Sequence, residues 1–198
     1  MLISEASRVY YVNTVGRFFP GFEERVVVID NGLDWEKFRP TQPQAIYEYV
    51  NIPPGTTRPV LLHPHRPEPS KGIMQTLAVA DKLVHEYGFH DLLVLAPQWH
   101  VVQASSELSE FYAAIEHEIA VGGLRDHVVF HGWIPQDLMP EYYSLGRVTL
   151  SLGHFVESFG NAVYESMGCG TPSIAARIST HRDLLPDDLL VKVDYGDI

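Results

Sequence analysis

Apolar residues along the chain gather into short branched runs separated by longer stretches of helical period. The runs at 60–62, 91–97, 128–130, 147–152 and 189–193 are brief, rich in Val, Leu and Ile, and bounded by turn residues, which predicts strands. Between the first two, apolar residues recur at 73, 77, 80, 84 and 87, one stripe of a helix. Leu108, Phe111, Tyr112, Ile115 and Ile119 form a second stripe. A third helix is predicted over 136–145, with Pro135 favourably placed at its start. After Pro172 the pattern gives a short strand and a helical turn around 181–185. Strand and helix therefore alternate about every 20 to 30 residues, the pattern of parallel βαβ units.

The first 60 residues fit this alternation less well. Residues 1–25 hold a weakly amphipathic piece and the aromatic turn F-F-P-G-F with no strand before them, and read as a connecting segment. The β-branched run 26–29 is a strand candidate, broken by Asp30-Asn31-Gly32 because Asn-Gly favours positive φ. A linker rich in Pro and Gly, 51–59, leads into the first strand of the repeating pattern.

Composition narrows the partners. With 45% hydrophobic and 20% charged residues over 198 positions, the chain is long enough for one substantial core. Fourteen basic against twenty-five acidic residues give a formal charge of -11, which argues against nucleic acid as a partner. A small phosphorylated ligand held by a few local cations is compatible with that charge. The single cysteine, Cys169, excludes an internal disulfide and fits a reducing cytoplasm. No apolar run approaches the roughly 18 residues needed to span a bilayer, which leaves peripheral membrane contact open. Among ten histidines, His63 and His65 lie two apart but have no nearby Cys or carboxylate cluster to complete a metal set, so no metal is expected.

The chemistry concentrates in V-E-S-F-G-N-A-V-Y-E-S-M-G-C-G-T-P, residues 156–172. Here Glu157 and Glu165 flank a turn, Ser158-Phe159-Gly160-Asn161, that opens a helix directly after an apolar strand. A helix start offers unpaired N–H groups and a partial positive charge to an anion. Carboxylates beside an anion site repel it and suit sugar hydroxyls instead. A ligand carrying both phosphate and hydroxyls, such as a nucleotide sugar, fits that combination. Taken without context, Glu157 reads first as a helix cap and Glu165 as a residue on a solvated face. Upstream, the strand at 60–62 empties into H-P-H-R-P-E-P-S-K-G, placing Arg66 and Lys71 where open α/β sheets bind ligands. His154, next to the motif, is a further candidate for the diphosphate or sugar, with a structural role as the alternative.

The 156–172 run resembles the E-x7-E motif of retaining glycosyltransferases of family 4, whose pattern is E-x-F-G followed by E-A-M-A-x-G-x-P. The segment H-R-P-E-P-S-K-G is similar to the family's G-R-x-x-x-x-K-G, with His65 in place of the glycine. V-V-V-I-D-N-G-L-D-W-E-K-F-R-P is similar to V-I-P-N-G-V-D-x-x-x-F-x-P, with Asp30 in place of the proline. F-H-G-W-I-P resembles F-x-G-x-V. The resemblance runs from Val26 to the end and implies an α/β, Rossmann-like parallel sheet with helices on both faces, the C-terminal half of a GT-B fold. It also implies that residues 26–198 are a donor-binding domain lacking its final helices, and that 1–25 lead out of an absent N-terminal domain.

The same resemblance implies site roles. Arg66 and Lys71 hold the donor diphosphate, Glu157 contacts the donor sugar, and Glu165 contacts the nucleotide ribose. Ser158, Phe159, Gly160 and Asn161 form the helix mouth. Gly132, Trp133 and Ile134 meet the base, although Trp133 is equally a core residue on sequence grounds. Transfer with retention through front-face attack, without metal, cofactor or protein nucleophile, is the expected chemistry. The substrate is a nucleoside-diphosphate sugar, and the acceptor, whether glycan, glycolipid or small molecule, is expected to lie on the absent domain. Another GT-B activity, such as a phosphorylase or a sugar-nucleotide epimerase, and a nucleotide-binding module without turnover are the competing readings.

Overall fold

A computed structural model of the chain describes residues 1–66, 68–98, 106–154, 158–195 and 197. Six strands, β1 (Val60–Leu62), β2 (Leu93–Pro97), β3 (Val128–His131), β4 (Val148–Ser151), β5 (Ser173–Ala176) and β6 (Val191–Val193), form one sheet in the order β3-β2-β1-β4-β5-β6. Every pairing is parallel. The helices are α1 (Glu5–Asn13), α2 (Ile73–His85), α3 (Ser106–Val121), α4 (Met139–Ser144), α5 (Asn161–Gly168) and α6 (Ser179–Asp183). This is the parallel sheet that the alternating pattern predicts, Rossmann-like as the family resemblance implies.

Period-two alternation within the strands sorts side chains between two cores. Leu61 of β1 and Val94 and Ala96 of β2 face a cluster with Ile73, Leu77, Ala80 and Val84 of α2 and Ile115 and Ile119 of α3. Val60, Leu62, Leu93 and Leu95 face the opposite side, against Phe38, Ile46, Val50 and Ile52 of the preceding loop and Tyr142 and Tyr143 of α4. Strands buried on both faces read as continuous apolar runs, which is why V-L-L and L-V-L-A carry so clear a signal.

Three expectations need correction. The 26–29 run makes only an isolated parallel bridge, Leu2 to Val28, outside the sheet, and leaves Val27 and Ile29 exposed. Its β-branched residues have strand propensity but no face to bury. The stripe ends one turn early, because α2 stops at His85 and Tyr87 is 69% exposed ahead of Gly88 at φ 75°. The 136–145 helix is split into a 3-10 turn, Gln136–Leu138, and α4, whose second residue is Pro140, lacking an N–H to continue the ladder.

In an open α/β sheet, ligands bind outside the carboxyl ends of the strands where the strand order reverses. Here chain order reverses between β1 and β4, which pair in register at Leu61–Val148 and Leu62–Thr149. The loop leaving β1 carries Arg66 and Lys71, and the loop leaving β4 carries the 158–161 turn.

Candidate functional site

The two loops are docked backbone to backbone. Gly72 sits at φ 85°, and a Cβ there would stand 2.6 Å from the Gly153 nitrogen. A Cβ on Gly153 would run into the Ser70 carbonyl in turn, and that carbonyl accepts the His154 N–H at 3.0 Å. Only glycine at both positions lets the Ser70-Lys71-Gly72 segment lie against the end of β4. Lys71 is thereby carried to the start of α5.

Between the loops lies an open cleft of about 290 Å³, lined by Ile3, Asn31, His65, Arg66, Lys71 and the 159–162 backbone, among others. Gly160, at φ 83° and ψ 48°, turns the chain into α5. Among the described residues nothing accepts the N–H groups of Phe159, Gly160, Asn161 or Ala162, the first turn of a helix with no side-chain cap. Four such donors with the helix dipole behind them make a mouth suited to an anion, and Arg66 and Lys71 share its walls. Arg66 is exposed, with Glu68 at 3.8 Å, while Lys71 is partly buried and also borders a cavity of about 10 Å³, space for one water, beneath the loop with Ser70, Ser151 and His181.

Gly160 carries a constraint that its motif does not reveal. The His181 ring of α6 packs against it so closely that a Cβ would meet Nε2 at 2.5 Å. His181 is buried, and its Nδ1 lies 3.1 Å from the Tyr164 hydroxyl. The mouth is therefore backed by a fixed ring rather than by a yielding side chain.

The cleft continues at Pro64, His65 and Arg66 into a second arm of about 170 Å³, bounded by His131, Gly132, Trp133, Ile134, Gln136, Met139 and Tyr142. Trp133 is 70% exposed at the lip, which removes the reading of this residue as core, whereas Ile134 is buried. Burial holds the His131 imidazole below its usual pKa and therefore neutral at pH 7. Its Nδ1 lies 2.7 Å from the Gly132 carbonyl, so Nδ1 carries the proton. That bond stiffens the β3 exit from which Trp133 projects.

Glu165 sits one turn into α5, half-buried, and its Oε2 accepts the Tyr143 hydroxyl at 2.9 Å. Burial raises its pKa above the ordinary 4.5, while the Tyr143 bond and the charge of Lys37 pull it back. Lys37, which is 3.5 Å from Asp137, is a nearby cation that motif reading did not single out. Glu157 lies outside the described residues. His154 turns its ring onto Tyr195, 5.1 Å between centroids, rather than into the cleft. Ser158 is not among the residues lining the cleft, and its carbonyl is bonded by Ser4 at the start of α1 and by Thr180 of α6. Ile3, a cleft residue with no motif of its own, and Asn31, which lies in the 26–40 segment without an expected site role and whose Nδ2 donates to Asn161 Oδ1 at 3.3 Å, also line the cleft. Among the described residues no three His, Cys, Asp or Glu gather as a metal site, and no helix is long and apolar enough to cross a membrane.

Residues 50–191 match the model of the family described as glycosyl transferases group 1. The D-inositol 3-phosphate glycosyltransferase 2 of Catenulispora acidiphila is 31% identical over 156 residues, covering 78% of this chain and 35% of that protein. HepE of Anabaena, solved in complex with UDP and glucose, superposes with a TM-score of 0.78 at 19% identity, over 99% of this chain and 49% of that one. Sucrose-phosphate synthase from Thermosynechococcus elongatus gives 0.74 at 23% identity, over 99% and 45%. The chain thus spans about a third of the length of the first relative and about half that of these structures.

Proposed function

The chain belongs to the glycosyl transferases group 1 family, and from that premise we propose that it is the donor-binding domain of a retaining GT-B glycosyltransferase of family 4. The observation that carries this reading is the shared cleft, where cations from the β1 loop face the open N–H groups at the start of α5. The pyrophosphate of a nucleoside-diphosphate sugar lies in the mouth, bonded by the Phe159 to Ala162 amides and neutralised by Lys71 and, more weakly, by exposed Arg66. The base occupies the second arm against Trp133 and Ile134. Glu165 accepts from ribose hydroxyls and Glu157 from the donor sugar.

Breaking the glycosidic bond leaves charge on the diphosphate oxygen, and a preorganised donor aimed at such charge is worth roughly 3 to 4 kcal/mol in enzymes. The amide mouth and Lys71 supply that stabilisation without metal or cofactor. Retention proceeds by front-face attack, with a donor phosphate oxygen taking the acceptor proton. The acceptor, a glycan, glycolipid or small molecule, binds on a second domain, so the 198 residues alone bind donor but do not turn it over. We place it in the cytoplasm, with peripheral membrane contact where the acceptor is a lipid.

A thermal-shift panel with UDP, GDP, ADP and their sugars tests the reading. A saturating diphosphate at about 100 times Kd stabilises by about 2.7 kcal/mol, or about 5 to 10 °C for a domain this size. Lys71→Ala removes most of that shift and Arg66→Ala less. Absence of a shift with every nucleotide in the panel sinks the assignment.

A further inference from the structure

The carbonyl of Ser158 points away from the cleft and is held there by hydroxyls from two distant elements. Ser4 Oγ donates to it, Thr180 Oγ1 lies 3.1 Å away, and Ser7 Oγ 3.3 Å away. All three hydroxyl residues are buried. Ser4 also caps α1, its Oγ accepting the Ser7 N–H at 3.0 Å, and the same Oγ lies 3.0 Å from the Ser7 Oγ, so its single proton is shared between the carbonyl and the Ser7 hydroxyl, whose own proton reaches the same carbonyl. Thr180 follows Ser179, the one non-glycine residue with positive φ (46°) among the described residues. That strained turn presents Thr180 and His181 side by side under the 158–160 segment, one on the carbonyl and the other against Gly160.

The consequence lies on the other side of the same peptide. There are no cis bonds among the described residues, so the Phe159 N–H is antiparallel to the Ser158 C=O. Holding the oxygen against α1 and α6 sends the N–H the opposite way, where no described residue accepts it. A flip of this peptide would exchange a donor for a carbonyl oxygen at the edge of the anion mouth and repel a phosphate.

Resting on the donor reading above, we propose that Ser4, Ser7 and Thr180 are positioning residues for diphosphate binding. They fix the Ser158–Phe159 peptide with its N–H available to the pyrophosphate, and so couple the start of α1 to the strength of the grip. None of the three touches the ligand.

The test leaves Ser4 intact, so that α1 keeps its cap, and uses Ser7→Ala, Thr180→Val, the double variant, and Thr180→Ser as hydroxyl rescue. Affinity for UDP is measured by calorimetry, with GDP or ADP substituted if the panel selects another base. Amide shifts are followed on ¹⁵N-labelled chain. Each single loss weakens the diphosphate several-fold and the double variant by about tenfold, while Thr180→Ser binds as the parent. At saturation in the double variant, the ligand-induced shift of the Phe159 amide collapses while those of Gly132 and Trp133 persist. A uniform loss at both arms, or unchanged affinity and an intact Phe159 shift, overturns the proposal. If the parent chain binds no nucleoside diphosphate, the donor reading itself falls and the positioning role falls with it, an outcome distinct from the other two.

Discussion

Replacing Gly160 by alanine probes the wall behind the anion mouth. Two costs are built into the position. At φ 83° the backbone is left-handed, a conformation that costs a residue with a Cβ about 1 to 2 kcal/mol. The new methyl also enters the His181 ring, standing 2.5 Å from Nε2. That ring is buried and its Nδ1 is engaged by the Tyr164 hydroxyl, so it has little room to retreat. Overpacking of this kind typically costs about 1 to 3 kcal/mol. The sum, about 2 to 5 kcal/mol, corresponds to a fall in melting temperature of about 4 to 20 °C for a domain of this length. Urea denaturation of Gly160→Ala, His181→Ala and the double variant separates the two costs. The double variant regains the clash component but keeps the backbone component, so the single losses are less than additive by about 1 to 3 kcal/mol. Additivity within experimental error, or a Gly160→Ala chain that melts with the parent, refutes the packing argument.

The remaining predictions concern Glu165 and the second arm of the cleft. Tyr143→Phe removes the bond that holds down the Glu165 pKa, leaving burial to raise it further. Because the folded value already lies above the unfolded 4.5, Glu165 contributes stability at low pH that is lost as pH rises through the folded pKa, and the variant moves the upper end of that window upward. If the carboxylate receives ribose, UDP affinity falls on acidification, and in Tyr143→Phe it falls at a higher pH; calorimetry over about pH 5 to 7.5 with an unmoved midpoint would exclude this role. Trp133, 70% exposed at the lip of the second arm, is expected to report base binding by quenching of its fluorescence. Trp133→Phe should abolish the ligand-induced change, and a full change surviving in that variant would place the base elsewhere.

What was legible in the sequence, and what was not, follows the range of the interactions involved. Strands β1 and β2 announce themselves because both faces are buried, whereas 26–29 has equal propensity and remains an exposed bridge partner of Leu2. The cations at the end of β1 and the helix start after β4 were readable because each is a local feature of a strand exit. Their meeting was readable only through the parallel topology that makes β1 and β4 neighbours. The supports of the site had no local signature at all. Ser4 and Ser7 bond a carbonyl more than 150 positions away, His181 backs Gly160 from another helix, and Tyr143 reaches Glu165 from α4. A serine at a helix start reads as a cap, and Ser4 is one. The hydroxyl that satisfies its own helix also orients a peptide of the ligand mouth, so two requirements fall on one side chain and only the simpler is visible in one dimension. Substituting Ser4 therefore perturbs α1 and the mouth together, and only Ser7 and Thr180 can separate the two effects.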